Sequence, residues 1–168
     1  EAALWSQKID IFTKILNVMK IVKKIAIALL VILIAMQFYR PEKNIAEGDY
    51  VAAFEAETQP SPEVKQILKT ACYDCHSANT EYPWYNNIAP VSYWLADHIE
   101  DGKGHLNFSD WENYDMEKKD HKLEEVVEEV KRGSMPLNEY TWTHGDAKLS
   151  EEQIRALVAW ADGARANY

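Results

Sequence analysis

Cysteine, β-strand patterning and positive charge are all scarce in this sequence. Its 168 residues include two cysteines, Cys72 and Cys75, which are too few for a disulfide framework or a four-thiolate zinc site. We find no alternating apolar pattern long enough for a strand and no internal repeat. After residue 40, 12 Lys and Arg face 25 Asp and Glu, so this part is a poor match for a phosphate backbone. Nucleic acid is therefore not expected as a partner.

A long apolar run near the N-terminus is the clearest feature that is present. Residues 25–39 read IAIALLVILIAMQFY. We expect residues 1–40 to form a membrane segment, with a single N-terminal transmembrane helix over about 21–39. Lys14, Lys20, Lys23 and Lys24 lie shortly before the run. The positive-inside rule then keeps the N-terminal end in the cytoplasm and exports the acidic remainder.

The residues around the apolar run favour an anchor that is not removed. Bulky and charged residues follow Met36, where a cleavage site needs small ones, so a cleaved signal peptide is the weaker alternative. Residues 1–18 are interpreted in two ways. They are either an amphipathic helix along the inner membrane surface or a stretch upstream of a native start at Met19.

The exported part is expected to contain a polar tether over 41–60 and an all-α domain over 61–168. Helix start and stop signals predict four short helices. The first is opened by Ser61-Pro62, the second runs over Pro90–Gly102, the third over about 117–132 before Gly133, and the fourth is opened by a capping box from Ser150 to Gln153. A domain this small buries little apolar surface, and a large prosthetic group at its centre would add what the chain lacks.

The sequence Cys72-Tyr73-Asp74-Cys75-His76 is the motif that indicates the chemistry. The spacing C-x-x-C-H is the attachment signature of c-type haem. Two thiols on one turn can each add to a vinyl group along one porphyrin edge, and the following histidine then reaches the iron as proximal ligand. A thioredoxin-like motif would need a βαβ context, and a zinc site would need two further ligands nearby.

Electron transfer at a haem usually requires a sixth iron ligand. Met135, in the loop sequence Gly-Ser-Met-Pro-Leu, is the best candidate, because a thioether on a proline-containing loop can be held over the distal face. Its alternative role is simple core packing. His98 and His144 are the alternative ligands. His98 falls on the apolar face of its predicted helix, and His144 has the context of a turn residue. The aromatic residues Phe108 and Trp111 are interpreted as core or as walls of the haem pocket.

Three stretches together resemble a known family. They are CYDCHSANTEYPWYNNIAPVSYWLADHI, LNFSDW and GSMPLNEYTWTHGDAKLS. Over about residues 62–163 the chain resembles the bacterial haem-binding domain family with a single C-x-x-C-H. The resemblance implies one covalently attached haem c in a domain related in plan to the small class I cytochromes c, often tethered to the cell envelope. The family's haem residues correspond to Cys72, Cys75 and His76, and its Met-Pro pair to Met135-Pro136.

Two classes of function follow from these expectations. The first is a membrane-anchored monohaem cytochrome in the bacterial inner membrane, with its haem domain on the periplasmic side and an envelope redox protein as partner. It would be an electron carrier and not an enzyme. The alternative is a haem-based sensor or peroxidase-like domain with an open distal site. That alternative needs acid–base groups over the iron, typically a histidine with an arginine. The exported part has only three arginines.

Overall fold

The computed structural model describes residues 2–168, apart from the side chains of residues 2–4 and 6–10. Within this range the chain is helical and has no strand, which confirms the all-α prediction for the described residues. The α-helices are α1 (Ala2–Met36), α2 (Ala52–Thr58), α3 (Pro62–Ala71), α4 (Tyr73–His76), α5 (Val91–His105), α6 (Met116–Arg132), α7 (Asn138–Thr143) and α8 (Glu151–Arg165). Three short 3-10 helices cover Trp84–Asn87, Phe108–Asn113 and Gly145–Ala147.

The chain divides into two compact units, residues 1–41 with 84–93 and residues 42–83 with 94–168. The first unit consists of α1 and the segment 84–93. The side-chain amide of Gln37 bonds both backbone groups of Ala89, accepting from its N–H at 3.0 Å and donating to its carbonyl at 3.1 Å. The Tyr93 hydroxyl donates to the carbonyl of Met36 at the end of α1.

α1 does not match the predicted anchor. It ends at Met36, before the predicted end near Tyr39, and lysines interrupt its apolar sequence at positions 20, 23 and 24. Among the residues that the structure describes, no helix combines the length and the apolarity that crossing a bilayer requires. The prediction of a transmembrane helix over about 21–39 is therefore not supported. The predicted amphipathic stripe of residues 1–18 lies partly outside the described side chains.

Three helices of the second unit begin or end where the sequence signals predict. The Ser61 hydroxyl accepts from the N–H of Val64 at the start of α3. The predicted capping box opens α8, since Ser150 and Gln153 bond each other's backbone N–H groups. α6 ends at Gly133, whose φ of +72° is the left-handed conformation that favours glycine. The boundaries of α3, α6 and α8 are confirmed because caps of this kind are local interactions.

The core of the second unit lies between α3, α6 and α8. α6 packs along α8, and α3 packs against α8 and the short α4. The apolar stripes of these three helices meet at Leu68, Leu123 and Leu157, which are fully buried. Burying amphipathic helix faces in this way is the main favourable term for an all-α domain. The arrangement leaves α4, with the C-x-x-C-H motif, at one edge of the core.

The segment predicted as a polar tether contributes to this core. α2 lies within residues 41–60, and its Phe54 is fully buried. The Phe54 ring centroid lies 4.5 Å from that of Phe108, 5.0 Å from that of Trp111 and 5.8 Å from that of Trp160. The Trp160 indole also donates to the carbonyl of Thr58 at 2.9 Å. The polar composition of this segment concealed one aromatic anchor, because a single buried side chain gives no periodic signal.

Replacing Phe54 should test whether α2 belongs to the folded domain. We expect Phe54→Ala to lower the free energy of unfolding by about 3–5 kcal/mol, because it leaves a cavity among three aromatic rings. Phe38→Ala is the matched control, since Phe38 is 87% exposed and should change stability by less than about 0.5 kcal/mol. Denaturant unfolding followed by tryptophan fluorescence measures both. Equal, small effects would show that residues 51–58 are not part of the core.

Candidate functional site

The two cysteines lie on a single helical turn. α3 ends at Ala71, and Cys72 links it to α4. The carbonyl of Cys72 accepts from the N–H of Cys75 at 3.2 Å and from the N–H of His76 at 3.0 Å. Burial raises the pKa of the Cys72 thiol to about 12 and that of the Cys75 thiol to about 11, so both remain protonated at neutral pH. The structure thus holds two neutral thiols and an imidazole within five residues.

His76 is held in one orientation by a backbone carbonyl. Its Nδ1 lies 3.0 Å from the carbonyl oxygen of Leu106, the first residue after α5. Because a carbonyl only accepts, Nδ1 carries the proton and Nε2 keeps its lone pair. Burial lowers the pKa of His76, which favours the neutral ring. A neutral imidazole with its second nitrogen bonded to a carbonyl is the usual state of a histidine metal ligand.

His76 faces a cavity of about 280 Å³ that it shares with Cys72 and Met135. The other apolar lining residues are Ala71, Leu106, Phe108, Val126 and Val130. The other polar ones are His105, Glu125 and Glu129. Cys75 is not among the lining residues, and its backbone packs instead against α5 at Gly102. The structure therefore brings three of the four predicted haem residues to one cavity, with the fourth on the same turn.

Met135 reaches the cavity because the end of α6 places it there. The carbonyl of Glu129 accepts from the N–H of Ser134 at 2.9 Å and from that of Met135 at 3.3 Å. Gly133 lies between the last residue of α6 and Ser134, and its left-handed conformation reverses the chain. The Met135 side chain packs against the hydrophobic core and lines the cavity. Its position is consistent with either predicted role, iron ligand or packing residue.

The two alternative ligands lie elsewhere. His98 Nδ1 lies 2.8 Å from the carbonyl of Trp94, one turn earlier in α5, and its ring centroid is 4.3 Å from that of Trp94. His144 stacks on Tyr140, with ring centroids 4.1 Å apart and planes 13° apart. Neither His98 nor His144 lines the cavity that contains His76. Each has a local structural partner, as expected for a histidine that packs within the fold.

The residues around the cavity fit a haem. An imidazole nitrogen and a thioether sulfur are known ligands of haem iron, and neighbouring thiols can attach to the porphyrin edge; all of these groups lie within apolar walls. In the described part of the chain, no cluster of three or more His, Cys, Asp and Glu is placed to hold a bare metal ion. The cavity volume falls slightly below the range of about 300–1,000 Å³ that is typical of ligand sites.

Sequence reasoning missed the two backbone features that support the motif. The carbonyl of Leu106 fixes His76, and a carbonyl leaves no signature in the sequence. Gly102 was expected to end its helix, but α5 continues to His105. At Gly102 an added Cβ would lie 2.8 Å from the Cys75 carbonyl oxygen and 3.1 Å from its Cβ. Glycine here permits close approach of α5 to the C-x-x-C-H turn. Only the three-dimensional contact distinguishes this role from a helix stop.

Comparison with known proteins gives one match. A family model described as a haem-binding domain matches residues 31–163, which is most of the chain. No curated protein and no solved structure matches it. The matched range includes the C-x-x-C-H motif, the Leu106 carbonyl and Met135, so it covers every residue assigned to the cavity.

Substitution at Gly102 should test the close approach of α5 to the motif. We expect Gly102→Ala to destabilise the domain by about 1–3 kcal/mol, because its methyl group would overlap the backbone of Cys75. Gly104→Ala, in the same helix, is the control. It has no neighbour within 4 Å of the added Cβ and should gain up to about 1 kcal/mol from helix propensity. Denaturant unfolding measures the two variants. If both alanine variants were more stable than the parent, the close approach of Gly102 to Cys75 would be contradicted.

Proposed function

The chain belongs to the haem-binding domain family, and on that basis we propose that it is a monohaem c-type cytochrome that carries electrons in the bacterial cell envelope. The observation that supports this proposal most directly is the shared cavity. One thiol of the C-x-x-C-H motif, the imidazole of His76 and the thioether of Met135 all line it. When bound, the haem supplies one-electron exchange between ferric and ferrous iron.

Cys72 and Cys75 would hold the group covalently. Each thiol adds across one vinyl group, so that a sulfur–carbon bond forms and the thiol hydrogen passes to the neighbouring carbon, with no net oxidation. His76 would bind the haem iron through Nε2, because the Leu106 carbonyl holds the ring orientation through Nδ1.

Met135 would supply the sixth ligand and close the iron to other molecules. A site with two protein ligands exchanges electrons with little rearrangement and has no open position for peroxide or a gas. The three arginines of the second unit, which a peroxidase-like site could use, each pair with a carboxylate. Arg165 bonds Asp120 at 2.7 Å, Arg132 pairs with Glu129, and Arg155 lies 3.7 Å from Glu151. None of the three lines the cavity. These positions favour a carrier over an enzyme.

The charge of the second unit suggests the kind of partner. This unit contains 12 Lys and Arg against 25 Asp and Glu, and Glu125 and Glu129 lie at the cavity itself. An envelope redox protein with a basic surface around its own cofactor would be attracted to this face, and the attraction would weaken with added salt. We propose that electrons pass between such a protein and the cavity side of the domain.

Mass spectrometry of the denatured protein should test covalent attachment. Protein matured in a periplasm that attaches haem should have the mass of the polypeptide plus one haem. The double variant Cys72→Ala/Cys75→Ala should have the mass of the polypeptide alone. His98→Ala is the control and should keep the added mass, because His98 does not line the cavity. A parent protein with the bare polypeptide mass would contradict c-type attachment.

Replacing Met135 should separate a carrier from a sensor or peroxidase-like domain. We expect Met135→Ala to give a high-spin or water-ligated ferric spectrum, a lower reduction potential and rapid binding of carbon monoxide by the ferrous form. Met116→Ala is the control, since Met116 is 60% exposed and does not line the cavity. The parent and the control should bind carbon monoxide slowly. A parent that is already high-spin and binds it at once would favour the open-site alternative.

A further inference from the structure

We propose that Tyr140 is a positioning residue that fixes the Met135 loop to the haem-attachment turn through a hydrogen bond to Asp74. The inference rests on the proposed ligation of iron by Met135 and adds the residue that maintains it. Asp74 is one of the two residues between Cys72 and Cys75, so the bond joins the distal loop directly to the covalent attachment site.

The geometry around Asp74 makes it a rigid anchor. The Tyr140 hydroxyl donates to Oδ2 of Asp74 at 2.8 Å, and the N–H of Glu81 donates to Oδ1 at 2.9 Å. The Asp74 backbone carbonyl also accepts from the Thr80 hydroxyl at 2.6 Å. Both carboxylate oxygens and the backbone are thus fixed. Burial raises the pKa of the Tyr140 phenol, which therefore stays protonated and acts as the donor.

The Met135 loop has a polar attachment at each end. On its N-terminal side, the carbonyl of Glu129 accepts from the backbone N–H of Met135. On its C-terminal side, the next hydrogen bond to another part of the domain comes from Tyr140. Among the described residues of the segment 136–148, the Tyr140 hydroxyl makes both hydrogen bonds that leave the segment, to Asp74 and, at 3.3 Å, to the carbonyl of Thr70. No second polar contact would replace it.

His144 supports the Tyr140 ring from behind. Its imidazole stacks on the phenol, and its Nδ1 lies 3.1 Å from the Tyr140 carbonyl. The stack restricts the ring of Tyr140 to an orientation in which the hydroxyl meets Asp74. This arrangement gives His144 a role that does not involve the iron. Apolar packing of the 3-10 helix Gly145–Ala147 on α3 holds the following residues, but it lies ten positions beyond Met135.

Loss of the Tyr140 bond should therefore free the loop without unfolding the domain. Met135 leaves the iron when its loop moves away, and the covalent attachment and His76 are unaffected by that movement. A net hydrogen bond to a charged group is strong enough to change such an opening equilibrium by about tenfold or more. Access of small ligands to the ferrous iron is the quantity that reports the opening.

The test compares two tyrosines that each donate to a carboxylate. Tyr140→Phe in the haem-loaded protein should raise the rate of carbon monoxide binding to the ferrous form by about tenfold. It should also weaken the far-red charge-transfer band of sulfur-ligated ferric iron. Tyr168→Phe is the matched control, because its hydroxyl donates to Glu57 at 2.7 Å and it does not line the cavity. This control should leave both readouts at the parent values, although it also removes a tyrosine–carboxylate bond.

A second variant shows whether the effect runs through Asp74. Asp74→Ala should raise the carbon monoxide rate as Tyr140→Phe does, and the double variant should add little to either, because both substitutions remove the Tyr140–Asp74 hydrogen bond. The informative case is a six-coordinate parent together with a Met135→Ala variant that binds carbon monoxide rapidly. If Tyr140→Phe then binds carbon monoxide at the parent's rate, this inference is overturned while the proposed function stands. Full additivity in the double variant would also overturn it. An open parent would overturn the proposed ligation itself.

Discussion

The C-x-x-C-H turn is held in place by backbone contacts from the end of α5, and the arrangement of the site depends on them. The carbonyl of Leu106 accepts a hydrogen bond from Nδ1–H of His76, and Gly102 lets the helix backbone approach the backbone of Cys75. The first contact selects the tautomer, and the second sets the separation between α4 and α5. Because neither contact uses a side chain of α5, the one sequence requirement that these two contacts impose is the absence of a Cβ at position 102.

Phe108 connects this turn to the rest of the domain. Its ring lines the cavity and also packs on Phe54 and Tyr73, so one aromatic residue belongs to both the site and the core. Trp111, three positions later, is fully buried but does not line the cavity. Sequence reasoning left both residues between core and pocket wall; the structure places Trp111 in the core and Phe108 in the core and at the cavity wall. A prosthetic group in the cavity would extend this aromatic cluster and thereby add apolar surface to a small core.

The parts of the fold that the sequence predicted are those set by neighbouring residues. Ser61, Gly133 and Ser150 act on the turn they belong to, so their helices begin or end where expected. The C-x-x-C-H spacing is equally local. The parts that were missed depend on contacts between distant segments: Phe54 under two aromatic rings, and Tyr140 against Asp74, 66 positions apart. Hydropathy also gave an incomplete description of α1, because an apolar run does not state where the helix ends.

The attachment of Met135 to the end of α6 makes the length of that helix a geometric constraint. α6 is locked along α8 by its buried stripe of Leu123, Val127 and Val130, and the carbonyl of Glu129 then fixes where the methionine begins. Each residue of an α-helix rotates the chain by about 100° and advances it by about 1.5 Å. One residue inserted between Val130 and Gly133 would turn the sulfur to another side of the helix, whereas an insertion before Met116 would leave it in place. The position of the Met135 sulfur therefore depends on the length of the last turn of α6 and does not depend on insertions before the helix begins.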